Sequence, residues 1–202
     1  MSMVLGTNVG FVATAPTTSP AGTATSYDST SSVTKHTSPS TAAKVTEVGW
    51  WCDNATEEAN FEVALYAADG ASGVAGTRLF VSATNAKGTT SGWKVVTGLN
   101  WTISPSTDYW LGLQLDNTAT TTNNDWTGSG GAGNDFRTSQ TTLNNPYGGG
   151  AIFDADAMDA IYAVWEAASS SNIKSYNTNV KANIKSIDTN VIANVKSLNT
   201  NV

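Results

Sequence analysis

Charged residues are scarce in this chain of 202 residues. Lysine and arginine together number 10 and aspartate and glutamate 16, so charged side chains make up 13% of the sequence, about half the usual share. The polar surface must therefore come from threonine, serine, asparagine and glycine, a composition typical of extracellular and virion β-proteins. Seven tryptophans and six tyrosines are too many for an intrinsically disordered chain.

Cysteine and histidine are almost absent, and this limits the chemistry that the chain can perform. The single cysteine, Cys52, excludes an internal disulfide and a cysteine-cluster zinc site. The single histidine, His36, lies in the segment TKHTSPS, where we expect an exposed loop residue. The sequence has no serine elbow and no HExxH motif. Solvated loops explain the neighbouring carboxylates at Glu57–Glu58 and at Asp154, Asp156 and Asp159 better than a glycosidase site does. We therefore expect no enzymatic activity.

The distribution of charge and of apolar residues argues against nucleic-acid and membrane partners. Residues 171–202 carry a net charge of +3 and the remainder carries −9. The negative charge of this larger part should repel the phosphate backbone of a nucleic acid. No apolar run approaches the ~18 residues that a membrane span needs. Residues 1–11 lack the basic start of a signal peptide. An extracellular composition without an export signal favours a location in a virion or on an extracellular surface.

Short apolar segments separated by turn residues predict a mainly β fold, a jelly-roll-like antiparallel β-sandwich. We expect the sandwich domain over residues 44–166, after a Thr/Ser-rich N-terminal arm or edge strands over residues 1–43. Residues 116–151 are polar and glycine-rich, which predicts a long loop. The predicted strands are residues 45–51, 60–67, 78–83, 92–96, 99–103, 108–115 and 160–165.

The C-terminal residues 167–202 contain an eleven-residue repeat with apolar residues spaced 3, 4 and 4 apart. This spacing keeps one apolar stripe on a single helix face with a slight right-handed supercoil. A lone helix could not bury this stripe, so we predict a coiled-coil oligomerisation stalk that forms a parallel homo-oligomer, with a homotrimer favoured by its β-branched residues. Because the repeat has poor helix propensity, a short β-repeat and a flexible tail stay open as alternatives. The stripe consists of Ile173, Tyr176, Val180, Ile184, Ile187, Val191, Val195, Leu198 and Val202.

Two binding sites are predicted in the polar loops. Exposed aromatic rings beside amides and carboxylates suit sugar recognition, and the glycan-binding candidates are Trp126, Tyr147, Asn124 and Asp125. The adjacent pairs Trp50/Trp51 and Tyr109/Trp110 should each direct one ring outward from a strand. A structural Ca²⁺ is the one metal considered, because hard cations take loop oxygens, although turn-forming residues explain the same pattern. Its candidate ligands are Asp116, Asn123, Asp125 and Asp135.

The segment NFEVALYAADGASGVAGTRL, followed by GWKVVTGLNWTISPSTDYWLGLQLD, resembles the jelly-roll modules of bacterial surface and phage virion proteins. The resemblance covers residues 45–165. It departs from the family pattern at Val74-Ala75-Gly76, where Pro-Gly is usual, and at residues 106–108, where Gly-Thr is typical. The tail is similar to the coiled-coil segments of phage fibres. The resemblance implies adhesion, glycan binding or virion decoration, with function resting on the site rather than on the fold.

Three functions follow as hypotheses. The first is a structural or adhesive virion protein, such as a fibre, spike or capsid-decoration subunit of a bacteriophage, with itself and other virion proteins as partners. The second is a carbohydrate-binding or surface-adhesion module of a bacterium, with a cell-surface glycan as partner. The third is a glycan-active enzyme. None requires a cofactor beyond the candidate Ca²⁺.

Overall fold

The computed structural model describes residues 3–20, 22–53, 58–125, 133–148 and 157–168. The residues up to Ala168 belong to one compact unit, and this unit is mainly β. Its described strands are β1 (Gly10–Val12), β2 (Thr23–Tyr27), β3 (Thr30–Thr37), β4 (Ala42–Cys52), β5 (Asn60–Ala67), β6 (Arg78–Val81), β7 (Asn85–Ala86), β8 (Gly92–Thr102), β9 (Asp108–Leu115), β10 (Ala119–Asp125), β11 (Asn134–Thr138), β12 (Ala157–Asp159) and β13 (Ile161–Ala167). A single 3₁₀ turn (Ala71–Gly73) lies between β5 and β6.

The first sheet has seven strands and is centred on β4. Strands β13 and β8 flank β4 along most of its length, and both pairings are antiparallel. Strand β10 meets the end of β4 at one position and lies between β2 and β12. The pairing of β1 with β13 is parallel and covers three residues. All other pairings in this sheet are antiparallel.

The second sheet has six strands in the order β11-β3-β9-β5-β6, with β7 added beside β5. Its central pairings, β3 with β9 and β5 with β9, run antiparallel over eight and seven positions. The alternation in β5 that predicted one apolar face is confirmed, because Phe61, Val63 and Leu65 are all buried.

The main core lies between the two sheets, as expected for a β-sandwich. It joins Val48 and Trp50 of β4 to Leu111 and Leu113 of β9, with Phe61 edge-on to Trp50 at 5.6 Å between ring centroids. Cys52 is buried in the same core. Strands β5 and β9 therefore contribute alternate residues to the core, which is the pattern that the sequence predicted for β5.

The outer face of the six-stranded sheet is also covered. Trp110 and Tyr66 pack there against Leu143 and Tyr147, which come from the segment after β11. The hydroxyl of Tyr66 donates a hydrogen bond of 2.8 Å to the carbonyl of Asn144. Part of the polar region that predicted a long loop therefore forms a second, smaller core.

The prediction that residues 1–43 form an N-terminal arm or edge strands outside a sandwich that begins at residue 44 needs correction for β3, although β1 is an edge strand. Strand β3 is an interior strand, because it pairs with β9 on one side and β11 on the other. Its residues are mostly serine and threonine, but all except Lys35 and Thr37 are buried. A polar strand can lie inside a sandwich when its hydroxyls find hydrogen-bond partners, and the partners of Ser32 and Thr34 are described below.

Candidate functional site

Three aromatic side chains, Trp51, Trp93 and Tyr162, lie together on the outer face of the seven-stranded sheet; we call them the aromatic face. Trp51 of β4 and Trp93 of β8 are register partners, and their ring centroids are 5.4 Å apart at 78°. Trp93 and Tyr162 are 5.0 Å apart at 76°. Such edge-to-face pairs are favourable beyond the area that they bury. Both tryptophans are half-buried, so part of their surface is available to a ligand.

The local sequence explains this arrangement. Trp50 points into the core, so its neighbour Trp51 must point out. Gly49 makes room for Tyr162, because a side-chain carbon at Gly49 would lie only 2.5 Å from atoms of that ring. The sequence correctly predicted one outward ring for the pair Trp50/Trp51. It did not single out Trp93, although the alternation in GWKVV could have done so.

Carboxylates accompany the aromatic face. The hydroxyl of Tyr162 donates a hydrogen bond of 2.6 Å to Glu47 Oε1. Burial of Tyr162, together with Glu47, raises the pKa of this hydroxyl above its ordinary value, so it keeps its proton. The indole nitrogen of Trp51 is 3.4 Å from Asp53 Oδ1. Indole surface beside carboxylate oxygens can stack on a sugar ring and accept hydrogen bonds from its hydroxyls.

The beginning of the chain partly covers this face. Met3, Val9 and Ala160 form a small buried cluster, against which Leu5 and the two tryptophans pack. The indole nitrogen of Trp93 also donates a hydrogen bond of 3.3 Å to the carbonyl of Thr18. The access of a ligand to the aromatic face therefore depends on the position of the N-terminal segment.

The exposure predicted for Tyr147 is wrong. Its side chain is 1% exposed, and its hydroxyl lies 3.2 Å from the carbonyl oxygens of Ser31 and Asp135. The guanidinium of Arg137 donates to the Tyr147 carbonyl. A glycine-rich neighbourhood suggested a solvent-exposed ring, but the segment folds back over the sheet and buries it. Tyr147 cannot stack on a sugar in this structure.

The other predicted glycan contacts are only partly described. Trp126 lies outside the described residues. Asn124 and Asp125 belong to β10, and their backbones pair with Met158 and Ala157 of β12. They are therefore in a strand and not in the predicted long loop. The rings of Tyr109 and Trp110 lie on opposite faces of β9, as predicted, but both are buried because the segment after β11 covers Trp110.

The buried carboxyl group of Asp159 forms hydrogen bonds to residues of both sheets. We call this group of residues the polar seam; it consists of Asp159, Tyr27, Ser32, Thr34 and Asn134. Tyr27 donates a 3.0 Å hydrogen bond to Asp159 Oδ1. Ser32 and Asn134 donate to Oδ2, the latter at 3.3 Å, and the Asp159 amide donates to Thr34 Oγ1 at 3.4 Å. Burial raises the pKa of Asp159 despite these donors. The polar seam provides partners for the hydroxyls of Ser32 and Thr34. Asp159 is 2% exposed and is therefore not the solvated loop residue that the sequence predicted.

His36 is not an exposed loop residue, as the sequence predicted, but a buried residue of β3. Its side chain is 4% exposed, and neither ring nitrogen has a hydrogen-bond partner within the described part of the chain. Burial lowers the pKa of His36 from 6.5 to about 4. A polar loop sequence gave no signal for this burial, which depends on the pairing of β3 with distant strands.

The candidate calcium ligands occupy different places. The carboxylate of Asp116 accepts hydrogen bonds from the backbone amide and side-chain amide of Asn60, at 2.6 and 2.9 Å. Asn123 lies in β10, paired with Asp159 of β12, whereas Asp135 lies in β11 of the other sheet. Burial raises the pKa of Asp135. Across the described ranges, no group of three or more histidine, cysteine, aspartate or glutamate residues could hold a metal ion.

The predicted oligomerisation stripe, Ile173 to Val202, lies entirely outside the described residues. Where the structure describes the chain, no helix is long and apolar enough to cross a membrane. Comparison of the chain with protein-family models, with curated proteins and with solved structures finds no match.

Proposed function

We propose that this chain is a structural or adhesive virion protein, a fibre, spike or capsid-decoration subunit of a bacteriophage. In this proposal a jelly-roll sandwich is displayed on an oligomeric helical stalk. The observation that carries the proposal is the junction of a mainly β unit, which ends near Ala168, with an eleven-residue apolar repeat. The apolar stripe of such a repeat stays exposed to water unless other helices pack against it.

The polar groups of the sandwich support a role without catalysis. His36 lies buried, where burial holds it neutral at physiological pH, so it is poorly placed to exchange protons with a substrate. Asp159 is also buried, and its two carboxyl oxygens accept hydrogen bonds from Tyr27, Ser32 and Asn134. Asp159 therefore supports the fold, and His36, although it borders a cavity beside Leu5 and Phe11, has both ring nitrogens buried.

The proposal predicts a discrete oligomer in solution, with a trimer favoured. The full chain should have three times its monomer mass of 21.0 kDa by light scattering at micromolar concentration. The double substitution Ile184→Asp with Ile187→Asp should dissociate it, because two charges on the stripe cannot be buried without partners. Ser186→Asp adds a charge beside the stripe and should leave the mass unchanged. A wild-type chain that is strictly monomeric would contradict the proposal.

Carbohydrate binding is the second candidate function, and the aromatic face favours it. Trp51 and Trp93 combine partly exposed indole surface with the carboxylates of Glu47 and Asp53. Stacking aromatics with hydrogen-bond acceptors at their edge are what a neutral sugar requires, whereas an anionic ligand would meet two like charges.

A glycan array tests this candidate. If a glycan binds, Trp93→Ala should weaken binding by about tenfold or more, because stacking on an aromatic ring contributes roughly 1–3 kcal/mol in comparable ring contacts. Val95→Ala, on the same strand and face, is the matched control and should change affinity little. Trp126→Ala tests the loop residue predicted from the sequence. Binding that persists unchanged in the Trp93→Ala variant would exclude the aromatic face as the site.

A further inference from the structure

We propose that residues 3–12 form a strap that is released from the sandwich in acid, with His36 as the trigger, and that its release uncovers the aromatic face. This inference is independent of the proposed virion role. It concerns a conformational change within one chain, and it holds whether or not the chain forms an oligomer.

The strap is attached by few backbone contacts. Its only strand, β1, pairs with β13 at three positions, Gly10 to Val12. Its other attachments are apolar. Met3, Leu5 and Val9 pack against the aromatic face. Phe11 is buried in the main core, edge-on to Tyr109 at 6.2 Å between ring centroids. The turn between these two parts is closed within the strap itself, where the Val4 amide donates to Asn8 Oδ1 at 2.7 Å. The strap can therefore leave as one unit without breaking a long ladder.

His36 lies directly beneath the strap. A side-chain carbon added at Gly10 would lie 2.8 Å from His36 Nδ1, so the strap backbone covers this side of the imidazole. Gly10 also has a φ of +72°, which other residues rarely adopt. A neutral imidazole has one donor and one acceptor, but an imidazolium has two donors. Protonation of His36 would place an uncompensated charge where neither nitrogen has a partner among the described residues.

The groups around His36 do not compensate that charge. Residues 3–12 contain no ionisable side chain. On β9 the register partner of His36 is Tyr109, whose hydroxyl accepts a 2.8 Å hydrogen bond from the Ser104 amide. Lys35 and Asp108, the neighbours of His36 and Tyr109 on the two strands, neutralise each other in an ion pair of 3.0 Å.

Asp159 is the remaining carboxyl group to consider. It contacts β3 through Ser32 and Thr34, on the same face of the strand as His36. Its oxygens, however, already accept hydrogen bonds from Tyr27, Ser32 and Asn134. Burial is the sole cause of the lowered pKa of His36, so no neighbouring charge offsets the cost of protonation.

The strap is the element that should yield. Strand β3 pairs with β9 at eight positions, whereas the strap pairs at three. Local unfolding begins in the segments that are least strongly attached to the rest of the protein. Detachment of the strap gives the imidazolium access to water. The same movement removes Met3, Leu5 and Val9 from Trp51 and Trp93. The protein would then expose an aromatic surface in acid that is partly covered at neutral pH.

Hydrogen exchange of the full chain tests the proposal. After correction for intrinsic exchange rates, the protection of the amides in residues 10–12 should fall roughly 100-fold between pH 7 and pH 4. The reason is that the pKa of His36 is 6.5 when it is exposed and about 4 when it is buried, so acid favours the state with the strap open by about that factor. Amides of β3 and β9 should stay protected. His36 is the only histidine, so its ring signals in NMR spectra report its protonation without assignment by mutation.

Two variants complete the test. His36→Phe and His36→Leu cannot be protonated, and in whichever of them folds the protection of residues 10–12 should be independent of pH over this range. Quenching of tryptophan fluorescence by acrylamide should rise in acid in the wild type but much less in Trp93→Phe. Three outcomes would each overturn the proposal. In the first, a His36 variant loses amide protection in the strap at the same pH as the wild type. In the others, the wild type loses protection in β3 and β9 together with the strap, or loses none in the strap.

Discussion

Replacing Asp159 by alanine will lower the free energy of unfolding by about 4 kcal/mol, the scale of removing one partner from a buried polar network. The substitution leaves the hydroxyls of Tyr27 and Ser32 without their acceptor and removes one of the two acceptors of the Asn134 side-chain amide, whose other acceptor is Ser32 Oγ. These donors lie between the two sheets, where water cannot readily replace the carboxyl group. Urea denaturation followed by tryptophan fluorescence measures the effect.

Two further variants make the Asp159 result specific. Asp159→Asn keeps one acceptor oxygen and the side-chain volume, so it should lose clearly less stability than the alanine variant. Glu166→Ala removes an exposed carboxylate of β13 that pairs with Lys44 at 2.9 Å, and it should cost less than about 1 kcal/mol. Equal losses in Asp159→Ala and Glu166→Ala would show that the polar seam contributes no more than a surface ion pair.

Strands whose apolar residues alternate could be predicted from the sequence alone. Residues 60–67 and 108–115 were predicted as strands with the bounds of β5 and β9. In both strands the apolar side chains alternate or are continuous, and burial on the inner face fixes the register. The segments predicted at 92–96 and 99–103 form one strand, β8, which Gly98 interrupts with a φ of +72°. The sequence showed this irregularity but not that pairing with β4 continues across it.

Strands made of polar residues could not be predicted in this way. Strand β3, with the sequence TSSVTKHT, has one apolar residue. The strand can be buried because the hydroxyl of Ser32 donates a hydrogen bond to Asp159 and accepts one from the side-chain amide of Asn134. These partners are more than 100 residues away, so local propensity carries no information about them. Tyr147 was mistaken for an exposed ring for the same reason. For the aromatic face, the sequence predicted Trp51 and could also have indicated Trp93 by the alternation in β8. The meeting of these rings with Tyr162 could not be predicted, because it depends on the pairing of β4 with β8 and β13.

Acidification will weaken the fold through His36. Its pKa is about 4 in the folded protein and 6.5 when unfolded, so the unfolded chain binds a proton at a higher pH than the folded chain does. The contribution of His36 to stability is therefore complete above pH 6.5 and is lost as the pH falls toward 4. The loss approaches about 3 kcal/mol, since one unit of pKa corresponds to about 1.4 kcal/mol. The measurement is the free energy of unfolding from urea denaturation at several values between pH 7 and pH 4.

Asp159 and Asp135 act in the opposite direction, because burial raises the pKa of both carboxyl groups. The folded protein binds their protons more tightly than the unfolded chain, so their contribution to stability grows as the pH falls. In the wild type, the change of the unfolding free energy with pH therefore combines a loss from His36 with a gain from the two carboxyl groups as the pH falls. The difference between the wild type and His36→Phe isolates the histidine, because both carboxyl groups are present in each protein. Parallel curves for the two proteins would contradict the prediction.

The shape of that difference curve connects global stability with the strap. If residues 3–12 stay in place, the difference keeps growing until the pH reaches the folded pKa of His36 near 4. If the strap opens first, the imidazole is hydrated while β3 and β9 are still paired, and it then titrates as it does in the unfolded chain. The loss of folding stability then stops, because the folded protein with its strap open and the unfolded chain bind the proton on His36 equally well. A plateau below about 3 kcal/mol would then equal the free energy that holds the strap on the aromatic face at neutral pH.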